Sequence, residues 1–488
     1  MTNVLFILTD DQGPWAMGCA GNDEIRTPHL DRLAASGARF SHFFCSSPVC
    51  SPSRASFLTG RIPSQHGVHD WIREGNVGDD TAAYLEGEIA YTDVLAGRGW
   101  DCALSGKWHL GHSQLVQHGF SHWYTHQRGG GDYNLPEMIR DGELLTEQGY
   151  VTHLITDDAL AYLDRRADAI DSAPAGDPPP PFYLSVHYTA PHSPWTGHPQ
   201  DIVDSYEGCS FDSCPQEPIH PWAIGHGLTE GSLGNREHLK GYFAAVTAMD
   251  ADVGRLLDKL EKRNLRDDTL VVFVSDNGFS CGHHGFWGKG NGTFPLNMYE
   301  NSVTVPFLIS QPGRIEAGTV VDDLHNAYDV FPTLLDYLHV DMPDDGMDRP
   351  GRSFVSTLDG SGRATTTASQ GHDAVVVDGG EPGRPEYAEY GASRMVRTRR
   401  WKYVDRGAEL PAELYDLTED PDERTNLAED GGYTAVGNEL RGVLHDWFAT
   451  RMRNSTVDGH QYPISGGGQL QPVRTRPGAD PNEAFAGR

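Results

Sequence analysis

Residues 3–11 read Asn-Val-Leu-Phe-Ile-Leu-Thr-Asp-Asp, a short apolar run that ends directly in two neighbouring carboxylates. Two later runs, at 182–186 and 270–274, follow the same plan, and the second continues as Ser275-Asp276-Asn277-Gly278. Short runs rich in β-branched and aromatic residues, separated by helix-like stretches, are typical of buried strands in a parallel sheet. The pattern predicts an α/β fold in which helices sandwich a large mixed, mostly parallel sheet.

The composition changes after Arg352, which indicates a second, smaller unit. Residues 356–384 are rich in Gly, Thr and Asp, and the runs at 393–405 and 413–417 are typical of antiparallel strands. We predict a large domain at residues 1–352 and a smaller α+β domain at 353–488, which contains an antiparallel sheet and an extended tail from residue 459. Helix-like spacing predicts helices at 27–36, 91–97, 156–166, 236–263 and 437–452.

The chain is acidic, with 38 Lys and Arg against 69 Asp and Glu among 488 residues and a formal net charge of −31. A general nucleic-acid binder presents a basic face to the phosphate backbone, so this charge argues against a nucleic-acid partner. The same charge repels anions over long distances. An anionic substrate would therefore need a locally positive pocket.

The sequence contains no apolar run of about 18 residues and no leader-like start, so we expect no membrane span. We expect a cytoplasmic protein as the sequence stands, or a periplasmic or secreted one if an export signal has been removed. Its seven cysteines are too few for a disulfide framework. Cys209 and Cys214 are close enough in sequence to pair, but we favour two free thiols.

Two polar clusters follow strand-like runs and suit a metal ion. Asp10 and Asp11 follow the first run, and Asp276 and Asn277 follow the run at 270–274. In open α/β sheets, ligands bind beyond the carboxyl ends of the strands, and oxygen ligands of this kind suit Ca²⁺ or Mg²⁺. Each cluster alone is also an ordinary solvated turn, so only their combination favours a shared metal site.

The stretch Cys50-Ser51-Pro52-Ser53-Arg54 places a thiol and two hydroxyls at the start of a predicted helix. Such groups are favoured nucleophiles at a helix start, and Arg54 lies one turn from Cys50. The alternative is a buried cysteine near a helix cap. Continued by Leu58-Thr59-Gly60-Arg61, the motif resembles that of type I sulfatases, a family of the alkaline phosphatase superfamily. The family cysteine is oxidised to formylglycine, so the resemblance implies that a formylglycine-generating enzyme matures Cys50.

The resemblance covers most of the chain and implies further site residues. It implies a Ca²⁺ or Mg²⁺ ion held by Asp10, Asp11, the modified Cys50, Asp276 and Asn277. The Ser-Gly-Lys-Trp-His-Leu-Gly run at 105–111 is similar to a family motif that supplies Lys107 and His109. His192, in Ala-Pro-His, and Lys289, in Trp-Gly-Lys-Gly, resemble a third basic pair, and the stretch from 413 to 427 resembles the family's smaller C-terminal domain.

This resemblance implies a sulfuric ester hydrolase of sulfatase-like fold that cleaves a sulfate monoester on a carbohydrate. The resemblance implies that one hydroxyl of hydrated formylglycine attacks sulfur, supported by Arg54, and that Lys107 and Lys289 supply electrostatic stabilisation. It also implies that His192 and Lys289 contact the sulfate and help to protonate the leaving oxygen. His109 removes a proton from the second hydroxyl, which releases sulfate and restores the aldehyde. The alternatives are a phosphonate monoester or phosphodiester hydrolase of the same superfamily and, from a different class, a non-catalytic carbohydrate- or metal-binding protein.

The substrate partner is expected to be a sulfated small molecule or saccharide, and an oligomer remains open. Aromatic and His-rich stretches at 66–71, 123–127 and 282–285 suit the rim of a sugar pocket, and they suit structural packing equally well. The candidate substrate-binding residues in these stretches are Asp70, Trp71, His126 and His284.

Overall fold

The computed structural model describes residues 2–174, 176, 179–223, 228–358, 371–379, 393–407, 410–453, 455–458 and 468–473. Its helices are α1 (Pro28–Ala35), α2 (Cys50–Thr59), α3 (Pro63–His66), α4 (Tyr91–Gly97), α5 (Val151–Asp171), α6 (Gln200–Asp204), α7 (Leu228–Ser232), α8 (Arg236–Lys262), α9 (Glu300–Val303), α10 (Val330–Tyr337) and α11 (Thr434–Arg451). Most of the tail predicted from residue 459 lies outside the described residues.

The strands alternate with these helices in the first two thirds of the chain and cluster after residue 373. They are β1 (Asn3–Thr9), β2 (Ala38–Phe40), β3 (Phe43–Phe44), β4 (Asp101–Lys107), β5 (Phe120–His126), β6 (Glu137–Arg140), β7 (Glu143–Thr146), β8 (Phe182–His187), β9 (Thr269–Ser275), β10 (Ser280–Cys281), β11 (Trp287–Gly288), β12 (Phe307–Ser310), β13 (Thr319–Val321), β14 (His325–Asn326), β15 (Ala374–Asp378), β16 (Arg394–Thr398), β17 (Trp401–Asp405) and β18 (Glu413–Asp416).

Ten of the strands form one mixed sheet in the order β13-β2-β12-β9-β1-β8-β4-β5-β6-β7. Its centre, β9-β1-β8-β4-β5, is parallel, whereas β12, β6 and β7 run antiparallel to the strands beside them. Thr9 of β1 is paired with Ser275 of β9, so Asp10 and Asp276 leave the sheet side by side. The predicted mixed, mostly parallel sheet is confirmed.

Helices cover both faces of this sheet because successive side chains of a strand point to opposite sides. Val4, Phe6 and Leu8 of β1 pack into a core with apolar residues of α2, α4 and α10. Leu5 and Ile7 of the same strand pack into a second core with α1, α5 and α8. The long apolar runs are therefore buried on both faces, as a sheet sandwiched by helices requires.

A separate antiparallel sheet, β15-β16-β17-β18, forms the smaller C-terminal unit. One face packs on α11 through Val376, Val396 and Leu414, and the other face contributes to the core of the large sheet through Val375 and Met395. The predicted antiparallel sheet is confirmed, and β15 is an additional strand within a stretch that the sequence marks only as Gly/Thr/Asp-rich. The division at residue 352 stays a prediction.

All seven cysteines lie in the described part of the chain and carry free thiols, in agreement with the interpretation favoured for Cys209 and Cys214. Within the described ranges, no helix combines the length and the apolar character needed to cross a membrane.

A buried ion-pair network joins the small sheet to the large unit. The Nζ atom of Lys402, on β17, lies 2.6 Å from Glu423 Oε1 and 2.8 Å from Glu300 Oε1, and Lys402 is fully buried. Burial opposes ionisation of Glu300, but the charges of Lys402 and Arg397 lower its pKa to about 2. Burial raises the pKa of Glu423 to about 7 despite Lys402. One ammonium group therefore holds two carboxyl groups from different parts of the chain.

We predict that Lys402→Met destabilises the protein by about 3–5 kcal/mol, because it leaves the buried Glu423 carboxyl without its cation and Glu300 with Arg397 alone. Arg399→Met is a matched control, since Arg399 lies in the turn between β16 and β17 and pairs with Asp322 at 3.2 Å while more than half exposed. The control should change stability by about 0–1 kcal/mol. Thermal unfolding of the three proteins measures the difference, and equal melting temperatures would contradict the predicted role of the network.

Candidate functional site

Three carboxylates and an amide meet at the carboxyl edge of the large sheet. Asp10 and Asp11 follow β1, Asp276 and Asn277 follow β9, and all four side chains are buried. The backbone N–H of Asp11 donates to Asp276 Oδ1 at 3.3 Å, and Asn277 Nδ2 donates to Asp11 Oδ1 at 2.8 Å. The structure thus brings together the four side chains that the sequence assigned to a metal site.

Three buried cations surround this carboxylate cluster. Lys107, at the end of β4, donates from Nζ to Asp10 Oδ2, and Lys289 Nζ donates to Asp11 Oδ1 at 2.6 Å. Arg54, on α2, donates from Nε to Asp276 Oδ2 at 2.9 Å. Each carboxylate therefore has its own cation, which offsets the cost of burying like charges together.

The protonation of the carboxylates follows from this pairing. Burial works against ionisation of Asp10 and Asp11, but the charge of Lys107 beside the first and of Lys289 beside the second keeps both pKa values below the usual range. Burial and the neighbouring charge of Asp10 raise the pKa of Asp276, against the opposing effect of Arg54. Asp10 and Asp11 are thus carboxylates near neutral pH, the form that could bind a cation.

The donor set fits a hard divalent cation. Asp10 Oδ1 and Asn277 Oδ1 are buried oxygen atoms with no hydrogen-bond donor in the described part of the chain. One ligand atom each from Asp10, Asp11 and His192 lie within 4.8 Å of one another. Carboxylate and amide oxygens are the ligands that Ca²⁺ and Mg²⁺ prefer. The unpartnered oxygen atoms therefore have a physical explanation if a cation lies among them.

Cys50 is the first residue of α2 and faces this cluster from a neighbouring element. Its side chain is 3% exposed, and its Sγ atom lies 3.5 Å from His109 Nδ1. Burial raises the pKa of the thiol although Lys107 and Lys289 act in the opposite direction. An unmodified Cys50 therefore remains a protonated thiol near neutral pH and is a poor nucleophile.

His109 is fixed at both ring nitrogens. Its Nε2 atom lies 3.0 Å from the Ile72 carbonyl oxygen, which can only accept a hydrogen bond, so Nε2 carries the proton and Nδ1 is left as an acceptor toward Cys50. Burial, together with the charges of Lys107 and Arg54, holds the pKa of His109 well below its usual range. The imidazole is therefore neutral and oriented as a base.

Backbone strain marks two residues of the site. Asp11 has a φ of 64° and His109 a φ of 56°, which lie in the left-handed region that residues other than glycine rarely adopt. Strained residues of this kind persist where the surrounding structure fixes them, and they concentrate at functional sites.

A cavity of about 810 Å³ opens onto Asp11, Cys50, His109, His192 and Lys289. His192 Nε2 lies 3.9 Å from Asp11 Oδ2, and its Nδ1 donates to the Ser193 carbonyl at 2.8 Å. Of the six residues predicted to be catalytic, Cys50, His109, His192 and Lys289 line this chamber. Arg54 and Lys107 do not line it and contact the carboxylate cluster through Asp276 and Asp10. The catalytic roles of all six stay predictions.

The four candidate substrate-binding residues differ in their position relative to the cavity. Trp71 lines the cavity, whereas Asp70, His126 and His284 are not among the described residues that line it. Asp70 accepts hydrogen bonds from the backbone N–H groups of Trp71 and Gly468, and His284 stacks on Tyr299 at a centroid distance of 3.8 Å. Burial lowers the pKa of His126 to about 4 and that of His284 to about 3.

Several cavity residues were not singled out from the sequence. They come from separate loops and are Arg73, Glu74, Arg128, Gly129, Gly130 and Phe279. The available signal was the run of three glycines at 129–131, because such a run marks a close approach of the backbone to another group.

The sulfatase family model matches residues 2–340, and a model described as N-sulphoglucosamine sulphohydrolase, C-terminal, matches residues 282–449. The chain is 27% identical over 519 residues to an N-acetylglucosamine-6-O-sulfatase of Bacteroides thetaiotaomicron, across 91% of this chain and 86% of the relative. It is 30% identical over 460 residues to a choline-sulfatase of Rhizobium meliloti, across 88% and 82%. A solved structure described as a complex with its substrate D-glucosamine-2-N,6-O-disulfate has a TM-score of 0.76 at 25% identity, across 94% of this chain and 99% of that chain.

The region that matches the sulfatase model includes the whole carboxylate cluster, the three cations and both cavity histidines. Both named relatives are sulfatases and match most of the chain. Enzymes of this family hydrolyse sulfuric esters, which excludes the non-catalytic binding protein as the main interpretation. The chain belongs to the type I sulfatase family of the alkaline phosphatase superfamily and is a sulfuric ester hydrolase.

Proposed function

We propose that the protein hydrolyses a sulfate monoester on a carbohydrate, using hydrated formylglycine derived from Cys50 as its nucleophile. The observation that carries this proposal is the pairing of Cys50 with the oriented, neutral imidazole of His109 at 3.5 Å, beside buried cations. A protonated, buried thiol is a poor nucleophile, whereas an oxygen nucleophile at residue 50 would lie beside a base. Maturation by a formylglycine-generating enzyme is part of the proposal.

The metal in this proposal is Ca²⁺, with Mg²⁺ as the alternative. Asp10, Asp11, Asp276, Asn277 and the modified residue 50 would hold it. When bound, such a cation stabilises negative charge on the oxygen atoms of a sulfate ester.

The residues around the chamber divide the remaining work. Lys107 and Lys289 are buried donors that can neutralise sulfate oxygens in a site largely shielded from water, where such contacts are strongest. Arg54 lies on the same helix as residue 50 and fixes Asp276 behind it. When protonated, His192 can donate from Nε2 to the oxygen of the departing alcohol, since its Nδ1 is engaged by the Ser193 carbonyl. These contacts serve binding and leaving-group departure.

His109 acts later in the proposed reaction. Its free Nδ1 takes a proton from residue 50 after the alcohol has left, in the step that releases inorganic sulfate. The Ile72 carbonyl holds the opposite nitrogen, so the ring presents Nδ1 to residue 50 throughout. One histidine therefore serves the alcohol and the other serves sulfate release.

The cavity supports a carbohydrate rather than a small cationic alcohol such as choline. Its wall includes the partly exposed Trp71, which offers a flat apolar face for a sugar ring. The cavity is also lined by Arg128 and by Arg73, which is paired with Glu74 at 3.9 Å. The remaining positive charge disfavours a quaternary ammonium ion beside the sulfate and tolerates a neutral or anionic sugar. The N-acetylglucosamine-6-O-sulfatase relative supports the same substrate class.

We predict that protein co-expressed with a formylglycine-generating enzyme yields a Cys50 peptide whose mass is lower by the difference between a CH₂SH and a CHO group. Mass spectrometry of the digested protein measures this difference. The Cys50→Ala variant should lose turnover while keeping its melting temperature. An unmodified Cys50 in an enzyme that turns over sulfate esters at full rate would contradict the formylglycine assignment.

We predict that a nitrophenyl sulfate is hydrolysed with a higher kcat/KM than the matched phosphate monoester, phosphodiester and phosphonate monoester. A phosphate monoester carries nearly two negative charges and the sulfate ester carries one, so the first comparison measures the charge for which the site is suited. The diester and the phosphonate share the single charge and measure geometry. A phosphonate or phosphodiester preference would establish the superfamily alternative instead. Defined sulfated saccharides and choline sulfate then compare the two substrate classes.

We predict that Ca²⁺ stabilises chelator-treated protein, by about 2.7 kcal/mol at a free concentration of 100 times Kd. Asn277→Ala removes a buried ligand oxygen without changing the charge of the cluster, so it should shift the calcium dependence of the melting temperature to higher concentration. Asn438→Ala, at an exposed position of α11, is the control and should behave like the wild type. A melting temperature independent of Ca²⁺ and Mg²⁺ would argue against a metal at this cluster.

A further inference from the structure

The glycine run after β5 lies against both cavity histidines. A Cβ atom added to Gly129 would lie 2.4 Å from Cε1 and 2.8 Å from Nε2 of His109. A Cβ atom added to Gly130 would lie 2.9 Å from Nδ1 and 3.0 Å from Cε1 of His192. Two consecutive residues thus contact two different imidazole rings, and neither position has room for a side chain.

Backbone conformation does not explain these glycines. Neither Gly129 nor Gly130 is among the residues with a positive φ, so an alanine would fit the backbone at both positions. The nearest atoms at each position belong to an imidazole ring rather than to a neighbouring strand or helix. The absence of a side chain is therefore imposed by the position of the two rings.

The two rings differ in how far they can yield. His109 is 2% exposed and is held between the Ile72 carbonyl at 3.0 Å and Cys50 Sγ at 3.5 Å, so any displacement breaks at least one of these contacts. His192 keeps a quarter of its side chain exposed toward the cavity and is held mainly through Nδ1. A side chain at 129 should therefore be more harmful than one at 130.

We propose that Gly129 and Gly130 are positioning residues: their bare backbone is a steric spacer that sets the ring of His109 on one side and the ring of His192 on the other. The inference rests on the proposed function, which gives these histidines two different proton-transfer steps. It goes further by assigning the geometry of both steps to one dipeptide outside the predicted catalytic motifs.

The proposal gives the two positions different kinetic signatures. Gly129→Ala displaces His109 and should slow sulfate release about a hundredfold, because a misplacement of about 1 Å costs that much. Since only the second step is slowed, kcat and KM should fall together and kcat/KM should change little. With nitrophenyl sulfate, it should give one equivalent of nitrophenol per matured site in a burst, followed by slow turnover. Gly130→Ala displaces His192 and should give no burst, with a loss that grows as the leaving alcohol becomes more basic.

A second measurement needs no turnover. In the unmodified Cys50 form, Gly129→Ala should lower the melting temperature, and the same substitution in a His109→Ala background should not, because the ring it meets has been removed. Gly208→Ala is the control, since an added Cβ there meets nothing within 4 Å and φ is not positive. If Gly129→Ala alone does not fold, the double variant should still fold.

These measurements distinguish failure of the proposed function from failure of the spacer proposal. A matured wild-type protein that hydrolyses no sulfate ester would contradict the proposed function itself. A wild-type enzyme that turns over, together with a Gly129→Ala variant within about twofold of its kcat, would overturn the spacer. Equal destabilisation by Gly129→Ala with and without the His109 ring would also overturn it.

Discussion

Charge compensation at the carboxyl edge of the large sheet is the constraint on which the rest of the site depends. Asp10, Asp11 and Asp276 are buried together, and Lys107, Lys289 and Arg54 are buried with them. The three carboxylates and the three cations balance in formal charge, so a bound divalent cation would leave the cluster positive. The net charge of −31 repels an anionic ester at long distance, whereas the positive cluster would attract it once it has entered the chamber.

The sheet delivers these groups because its central strands are parallel and ordered β9-β1-β8-β4. The carboxylates leave β1 and β9, which are direct neighbours, and Lys107 ends β4. His192 follows β8, the strand between β1 and β4, after a short connection. The strand order thus brings the carboxylates, Lys107 and His192 to one edge, as doubly wound sheets generally do. Cys50 and Arg54 on α2 and Lys289 after β11 reach the same edge from outside the large sheet.

The parts predictable from sequence are those that local pattern determines. The run at 3–11 was sufficient for β1 and its carboxylates because a buried strand must be apolar and its end need not be. The strand β15 was missed because flanking Gly, Thr and Asp dominate the composition around Val375 to Val377. Much of the cavity wall could not be predicted for another reason: Arg73, Arg128 and Phe279 meet through tertiary packing of separate loops. His284 was a substrate-binding candidate from the sequence, but it stacks on Tyr299, and this tertiary contact could not be predicted from the local sequence.

Burial also constrains the order of events in the proposed function. All ten residues of α2, including Cys50, are buried, so a modifying enzyme cannot bind this segment as a substrate in the folded protein. Oxidation of Cys50 must then precede the packing of α2 against the sheet. The carboxylate cluster does not impose the same order, because the lysines and Arg54 already balance its charge and the chain can fold before a metal arrives. In the proposed function, maturation at residue 50 would therefore be coupled to folding, whereas metal binding would be free to follow it.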